Sequence, residues 1–304
     1  MHLASVSIGL IYTISPHVST HFHHTYSTHP MSSPTPPAIS LNIVPARTGL
    51  TWVKQGIQIF AKQPLALGGL FFMFMALVSV VSLVPMLGGV LVLVLLPAAT
   101  VGLMTATRLA HEGQFPMPVT LFSAFRAGAQ KTQAILILGA LYAVGFLVVM
   151  GVSALFDGGQ FASMYLSGGT LNKEVIGSSD FQMATWAAMA LYLPLSLMFW
   201  HAPALVHWRN VSPIKALFFS LVACIRNFGA MTVYFFSWLG VFILGGLVLT
   251  LVAGLTGSES AVAFIMLPAA LLMATMFFSS IYFTFKDSFL QPAAPESASN
   301  LEIR

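Results

Sequence analysis

Charged residues are scarce in this sequence. Asp, Glu, Lys and Arg make up only 7% of the 304 residues, whereas hydrophobic residues make up 57%. Soluble domains carry about 25% charged residues, because a polar surface must face the water. So few charges cannot cover a water-soluble globule of this size. The composition therefore excludes a soluble domain and predicts an integral membrane protein, whose surface is solvated by hydrocarbon.

Cysteine and the usual motifs of enzymes are also missing. The single Cys224 cannot form an internal disulfide and has no second cysteine with which to build a metal site. The sequence lacks a phosphate-binding Gly-rich loop, a nucleophile elbow, a paired-carboxylate site and any zinc-type spacing. We therefore predict no catalytic site, no cofactor and no metal, and we expect that the protein is not an enzyme.

What the sequence does contain is a series of long apolar runs, which begin at Ala66. About 20 apolar residues cross a hydrocarbon core of about 30 Å as a helix. The sequence predicts an all-α membrane domain, residues 46–288, with six transmembrane helices arranged as three hairpins. The predicted spans are residues 66–84, 87–107, 134–155, 183–206, 229–253 and 261–283.

The two ends of the chain differ from this domain. Residues 1–45 are rich in His, Ser, Thr and Pro, and residues 289–304 contain the polar run QPAAPESASN. Segments with few large apolar side chains cannot bury enough surface to offset the entropy lost on ordering. We predict that both ends are disordered. The histidines of the first segment could chelate a metal adventitiously.

The basic residues indicate the orientation of the spans. With the amino end inside, eleven of the twelve Lys and Arg fall in cytoplasmic segments, and only Lys173 falls in the long external loop. Lys and Arg flank spans on the cytoplasmic side, whereas nucleic-acid-binding proteins gather them on one face. The sequence therefore predicts a bacterial inner-membrane protein with both termini in the cytoplasm and no nucleic-acid partner.

A more polar segment with helical periodicity precedes each hairpin. Such a helix can lie in the interface with its apolar face in the acyl boundary, or it can pack on the end of the bundle. The sequence leaves both alternatives open, and the middle segment, PMPVTLFSAFRAGAQKTQ, follows the plan more weakly. The apolar stripes of the first and third segments are Leu50, Val53, Ile57 and Phe60, and Ile214, Leu217, Phe218, Leu221 and Ile225.

Three sets of residues recur in this layout of interfacial helix and hairpin. Basic residues near headgroup level are candidates for lipid contact, prolines in the second span of each hairpin are candidate kinks, and glycines are candidate helix-packing positions. The lipid-contact candidates are Lys54, Lys62, Arg126, Lys131, Lys215 and Arg226. The candidate kinks are Pro97, Pro194 and Pro268, and the glycines are Gly68, Gly69, Gly139, Gly145, Gly240, Gly245 and Gly246.

Several stretches resemble an uncharacterised family of proteobacterial polytopic inner-membrane proteins. They are LNIVPARTGLTWVKQGIQIF, KQPLALGGLFFMFM, LPAATVGLMTATR, FWHAPALVHW and SPIKALFFSLVACIRN. The resemblance covers about residues 41–290 and implies six spans in the inner membrane, without catalytic residues. The layout is also distantly similar to the membrane domain of bacterial glycerophosphodiester phosphodiesterases, which is an accessory anchor and not the catalytic part.

Three functional hypotheses follow. The first is a non-enzymatic protein that organises lipids or serves as a scaffold, with membrane lipids, another copy of itself or another membrane protein as partners. The second is a permease for a small amphipathic molecule, because transporters often contain internal repeats and broken spans. The third is a lipid-acting enzyme that uses His111, Glu112, His201 and His207. The spacing of six between the last two puts them on different faces of a helix, and interfacial anchoring beside Trp200 and Trp208 is favoured for them.

Overall fold

The described part of the chain is built from helices alone, which confirms the predicted all-α class. The computed structural model describes residues 40–167, 172–256 and 259–289. Residues 1–39 and 290–304, most of the two ends predicted to be disordered, lie outside the described residues. The elements are, in chain order, α1 (Thr48–Lys62), α2 (Pro64–Ser82), α3 (Gly88–His111), the 3₁₀ helix η1 (Pro118–Phe122), α4 (Ser123–Arg126), α5 (Ala129–Asp157), α6 (Gln160–Ser167), α7 (Lys173–Ile176), α8 (Ser179–Trp200), α9 (Ala202–Arg209), α10 (Pro213–Arg226), α11 (Phe228–Thr256) and α12 (Glu259–Phe289).

Six of these helices are long and apolar enough to cross a membrane, as the sequence predicts. They are α2, α3, α5, α8 continued by α9, α11 and α12. The first residue of α5 is Ala129, whereas the apolar run begins only at residue 134. Helical hydrogen bonds do not require apolar side chains, so the helix extends through Gln130 and Lys131 beyond the hydrocarbon.

Three segments precede the hairpins, and we call them the collar: α1, η1 with α4, and α10. The segment of η1 and α4 packs on α3, and α10 packs on α8, so that each contacts the hairpin before it. Within the described residues α1 follows no hairpin, and this helix packs on α11 and α12 instead. The collar therefore closes three hairpin units into a ring, in which the first unit contacts the last.

Small residues let the collar approach the backbone of the spans. A Cβ on Gly56 would lie 2.9 Å from the carbonyl oxygen of Met276, and a Cβ on Gly49 would lie 2.6 Å from the backbone nitrogen of Tyr234. A Cβ on Gly102 of α3 would lie 2.5 Å from the carbonyl oxygen of Leu121 in η1. Two of the three collar segments thus pack backbone to backbone against a span.

The middle collar segment differs from a continuous helix. It consists of the five residues of η1 and the four of α4. Pro118 stands at the start of η1, and Gly128 follows α4 with φ of 98°, a conformation that ends a right-handed helix. Turn residues therefore divide the segment that the apolar pattern suggested as one helix.

The two alternatives for α1 were a position in the membrane interface and packing on the end of the bundle. Its buried face contacts protein, which favours packing on the bundle. Trp52 is 0% exposed, and Val53 and Phe60 are also buried, whereas Leu50 is 59% exposed. The buried face is thus rotated from the predicted stripe. It lies against α11 and α12 and not in the acyl boundary.

The candidate kink positions Pro97, Pro194 and Pro268 lie inside α3, α8 and α12, and these helices continue through them. The interruption in the fourth span lies at His201, which separates α8 from α9. Pro203 explains the break, because it has no N–H to donate to the preceding turn and its ring crowds that turn.

Candidate functional site at the basic end of the bundle

Hydrogen bonds bring the basic ends of the spans together. Lys286 Nζ at the end of α12 lies 2.9 Å from His111 Nε2 at the end of α3. Lys131 Nζ on α5 donates to the carbonyl oxygen of His207 on α9 at 3.1 Å. The Arg209 guanidinium donates to the carbonyl oxygen of Phe289. We call this region the basic end, and the collar lies there as well.

Five of the six candidate lipid-contact residues are exposed at this end. They are Lys54, Lys62, Arg126, Lys215 and Arg226. The sixth, Lys131, is half-buried, and its ammonium group is engaged by His207. In residues 40–167, 172–256 and 259–289, no carboxylate lies in ion-pair contact with any of the five exposed cations. Their charges are therefore available to an anion from outside the protein.

Another basic residue at this end, Arg108, is engaged within the protein. Its Nε lies 2.9 Å from Glu112 Oε1, and its guanidinium carbon lies 5.9 Å from the centre of the Trp208 ring. Glu112 thus pairs with Arg108, whereas His111 accepts from Lys286. The two residues considered as an acid-base pair have separate partners.

The two histidines of the fourth span do not anchor in the interface. His201 is 1% exposed and His207 is 8% exposed. His201 Nε2 lies 3.2 Å from Thr284 Oγ1, and Nδ1 lies 3.8 Å from Cys224 Sγ. Because the rings lie among protein side chains, the prediction of interfacial anchoring is wrong for this pair.

Cys224 of α10 completes the packing around His201. Its thiol is buried, and burial raises the pKa of this thiol to about 12. The described residues contain no group of three or more His, Cys, Asp or Glu side chains that could hold a metal ion. The contacts of His201 and Cys224 join α9, α10 and α12.

An asparagine that follows the last residue of α10 anchors the start of the described chain. Asn227 Oδ1 accepts from the backbone nitrogen of Val44 at 2.9 Å, and Asn227 Nδ2 donates to the carbonyl oxygen of Asn42 at 3.1 Å. The backbone nitrogen of Asn42 also donates to the carbonyl oxygen of Ser288 at 2.9 Å. The side-chain amide of Asn227 thereby both donates to and accepts from the backbone of residues 42–44, as a backbone amide would. These contacts hold residues 42–44 at the basic end.

α10 has two faces of different size and polarity. Its small residues, Ala216, Ser220 and Ala223, are fully buried against the bundle. Its large apolar residues point outward: Ile214 is 66%, Phe218 61% and Ile225 58% exposed. The apolar stripe that the sequence shows is therefore the outer face of this helix, except for Leu217, which is buried.

Comparison with known proteins gives a relative of the same kind. The chain is 38% identical to a probable inner membrane protein of Burkholderia thailandensis over 258 residues, which cover 83% of this chain and 96% of the relative. No family model matches the chain, and no solved structure matches it. The layout similarity to the phosphodiesterase membrane domain stays a prediction. With its six apolar helices, the chain is a multi-pass inner-membrane protein, and it belongs to the same family as this Burkholderia protein.

Proposed function

We propose that this protein is a non-enzymatic organiser of anionic phospholipid at the cytoplasmic surface of the inner membrane. The outer face of α10 carries this proposal. Ile214, Phe218 and Ile225 are more than half exposed on a helix that connects the ends of two spans. Such a face is stable only in contact with acyl chains or another apolar surface.

The charges at the two ends of α10 favour a lipid with an anionic headgroup. Lys215 lies in the first turn of the helix and Arg226 is its last residue, and both are exposed. A helix in the plane of the membrane then places its apolar stripe in the acyl boundary and its cations among phosphates. Each basic residue near an anionic surface strengthens this attraction.

The cytoplasmic location of the basic end is also a proposal. Ten of the eleven Lys and Arg in the described residues belong to the collar, the basic ends of the spans or the segments next to them, and Lys173 alone lies in the loop between α5 and α8. The positive-inside rule favours a cytoplasmic location for both termini. Reporter fusions test this: a fluorescent protein fused after Arg304 should fluoresce, and an alkaline phosphatase fused there should be inactive. The opposite pattern would reverse the orientation.

The lipid proposal is tested with the double variant Lys215→Gln, Arg226→Gln in nanodiscs of mixed phosphatidylglycerol and phosphatidylcholine. Native mass spectrometry should show that the wild type retains an excess of phosphatidylglycerol and that the variant retains roughly tenfold less. Lys173→Gln is the matched control, because it removes one exposed charge at the opposite end. Equal retention by all three proteins would overturn the proposal.

A partly open pocket supports the permease as a second candidate. A cavity of about 200 Å³ lies where α3, α8 and α12 meet. It is bordered by the hydroxyl groups of Tyr142 and Tyr192, which lie 3.2 Å apart. A polar pair at membrane depth suits an amphipathic solute. Uptake of such solutes into proteoliposomes that is lost in Tyr142→Phe would support transport, and an absence of flux across a broad metabolite panel would oppose it.

A further inference from the structure

The middle collar segment lies between two neighbouring depressions. The first is a cavity of about 160 Å³ between α2 and α3, with Leu121, Phe122 and Phe125 at its base. The second is an open groove of about 670 Å³ along the start of α5. Phe125 contributes to the walls of both. One aromatic side chain therefore separates the two depressions.

The cavity is lined by hydrocarbon alone. Every residue around it is Ala, Leu, Val or Phe, from the facing sides of α2 and α3 and from the middle collar segment. Leu77 is 38%, Phe122 43% and Phe125 38% exposed, so the cavity opens to the outer surface of the bundle. A dry apolar cavity of about 150 Å³ accommodates a guest the size of benzene. This cavity thus has room for several methylene groups.

The groove changes in polarity along α5. Arg126, Thr132 and Gln133 lie at its upper end, next to the start of the helix. From one helical turn further along α5, its lining is Leu136, Ile137 and Ala140. A polar upper end and an apolar lower end match the headgroup and chain of a lipid whose long axis follows α5.

Arg126 supplies the charge at this site. It is exposed, it is the last residue of α4, and it adjoins the shared Phe125. In the part of the chain that the structure describes, no hydrogen-bond or ion-pair partner of its guanidinium is found. A guanidinium binds phosphate oxygens through two parallel N–H groups, so a phosphate between the two depressions would complete its hydrogen bonding.

We propose that the middle collar segment binds one diacyl phospholipid, with its phosphate on Arg126 and one acyl chain on each side of Phe125. One chain enters the cavity between α2 and α3, and the other follows the groove on α5. The site deepens the proposed function, because it adds a single defined lipid to the general attraction at α10. It rests on other residues, so the two proposals can fail separately.

The first experiment counts tightly bound lipid by native mass spectrometry of protein released from phosphatidylglycerol nanodiscs. The wild type should keep one lipid through mild activation. Arg126→Gln should keep it at roughly a tenth of the wild-type occupancy, because a charge-assisted contact is lost. Ala99→Leu, which fills the cavity from α3, should also release it. Lys173→Gln is the control, since it removes an exposed cation that borders neither depression.

The second experiment locates the chains with a phosphatidylglycerol that carries a photoactivatable diazirine in both acyl tails. Adducts should form on peptides of α2 or α3 and on the Leu136–Ala140 region of α5. Adducts on one side of Phe125 alone would overturn the two-chain arrangement. Equal lipid occupancy in Arg126→Gln, Ala99→Leu and Lys173→Gln would overturn the site. Arg126 is on the surface, so its variant remains informative even if Ala99→Leu does not fold.

The two proposals give distinguishable failures. Loss of the single lipid in Arg126→Gln with an unchanged phosphatidylglycerol excess in the α10 double variant supports the site and opposes the lipid contact of α10, which carries the proposed function. The reverse result supports the proposed function and opposes the site.

Discussion

The contact between α3 and α5 gives a sharp test of the packing, because α5 contains two glycines in opposite environments. A Cβ at Gly139 would overlap the Val94 carbonyl oxygen and lie 2.8 Å from the Val94 carbonyl carbon. A Cβ at Gly151 would meet no atom within 4 Å. Gly139→Ala and Gly151→Ala therefore make the same chemical change in the same helix, with and without a neighbour.

The expected difference follows from two effects. Both variants gain about 0.5–1 kcal/mol, because alanine loses less conformational freedom than glycine in a helix. In Gly139→Ala, α3 and α5 must also move apart to make room for the new Cβ. The shift is at least about 0.6 Å, because this Cβ would otherwise lie 2.8 Å from the Val94 carbonyl carbon and an ordinary contact is about 3.4 Å. Overpacking of this kind costs about 1–3 kcal/mol. Gly139→Ala should thus be less stable than Gly151→Ala by about 1–3 kcal/mol.

The assay is thermal unfolding of the purified protein in one detergent, followed by intrinsic tryptophan fluorescence. At roughly 2–4 °C per kcal/mol for a chain of this size, Gly139→Ala should melt at least about 2 °C below Gly151→Ala. Gly151→Ala should melt at or slightly above the wild type. Equal melting temperatures for the two variants would refute the close approach of α5 to Val94.

Three further predictions concern single contacts. Cys224 should resist labelling by maleimide at pH 8 until the protein is denatured, because its thiol is buried and the pKa of that thiol is raised to about 12. Ser212→Cys in a Cys224→Ala background is the exposed control. Rapid labelling of native Cys224 would contradict the burial. Asp287→Ala should destabilise the protein by about 1.5–3 kcal/mol, since Trp52 Nε1 donates to Asp287 Oδ2 at 2.8 Å. Asp180→Ala, at an exposed position in the first turn of α8, is the matched control. An equal loss of melting temperature in both variants would count against this hydrogen bond. Asn227→Ala should speed hydrogen exchange at Val44 and expose residues 40–47 to protease, because two hydrogen bonds to this segment are lost. Gln58→Ala, at an exposed position, should change neither the exchange nor the proteolysis. Unchanged exchange at Val44 in Asn227→Ala would show that other contacts hold the segment.

The spans and their pairing could be predicted from the sequence because both depend on local properties. A run of about 20 apolar residues forms a helix in the membrane whatever its neighbours are. The short Pro-Gly turn at 85–89 allows only a hairpin. The close packing at Gly139 and Gly245 could also be anticipated, but Gly69 and Gly240 meet no atom within 4 Å. Composition identifies glycine as a packing residue without showing which helix face has a neighbour.

The arrangement of the collar could not be predicted from periodicity alone. Hydrophobic periodicity shows that α1 and α10 are amphipathic, but it does not distinguish a face against protein from a face against lipid. In α1 the face that contains Trp52 packs on two spans, whereas in α10 the large residues such as Phe218 point outward and the small ones face the bundle. The relevant signal in α10 was the row of Ala216, Ser220 and Ala223, since only small residues permit close helix contact.

Three internal hydrogen-bond contacts at the basic end leave its outer cations free. Asn227 is bound to residues 42–44, Asp287 to Trp52, and Lys131 to the His207 carbonyl oxygen. Because these bonds hold the collar within the protein, Arg126, Lys215 and Arg226 are not needed for its internal hydrogen bonding. A cation that is positioned by a rigid support but has no internal partner binds an external anion with little further loss of side-chain freedom. This combination of a collar held by internal hydrogen bonds and of outer charges without internal partners favours an anionic lipid as the ligand of the collar.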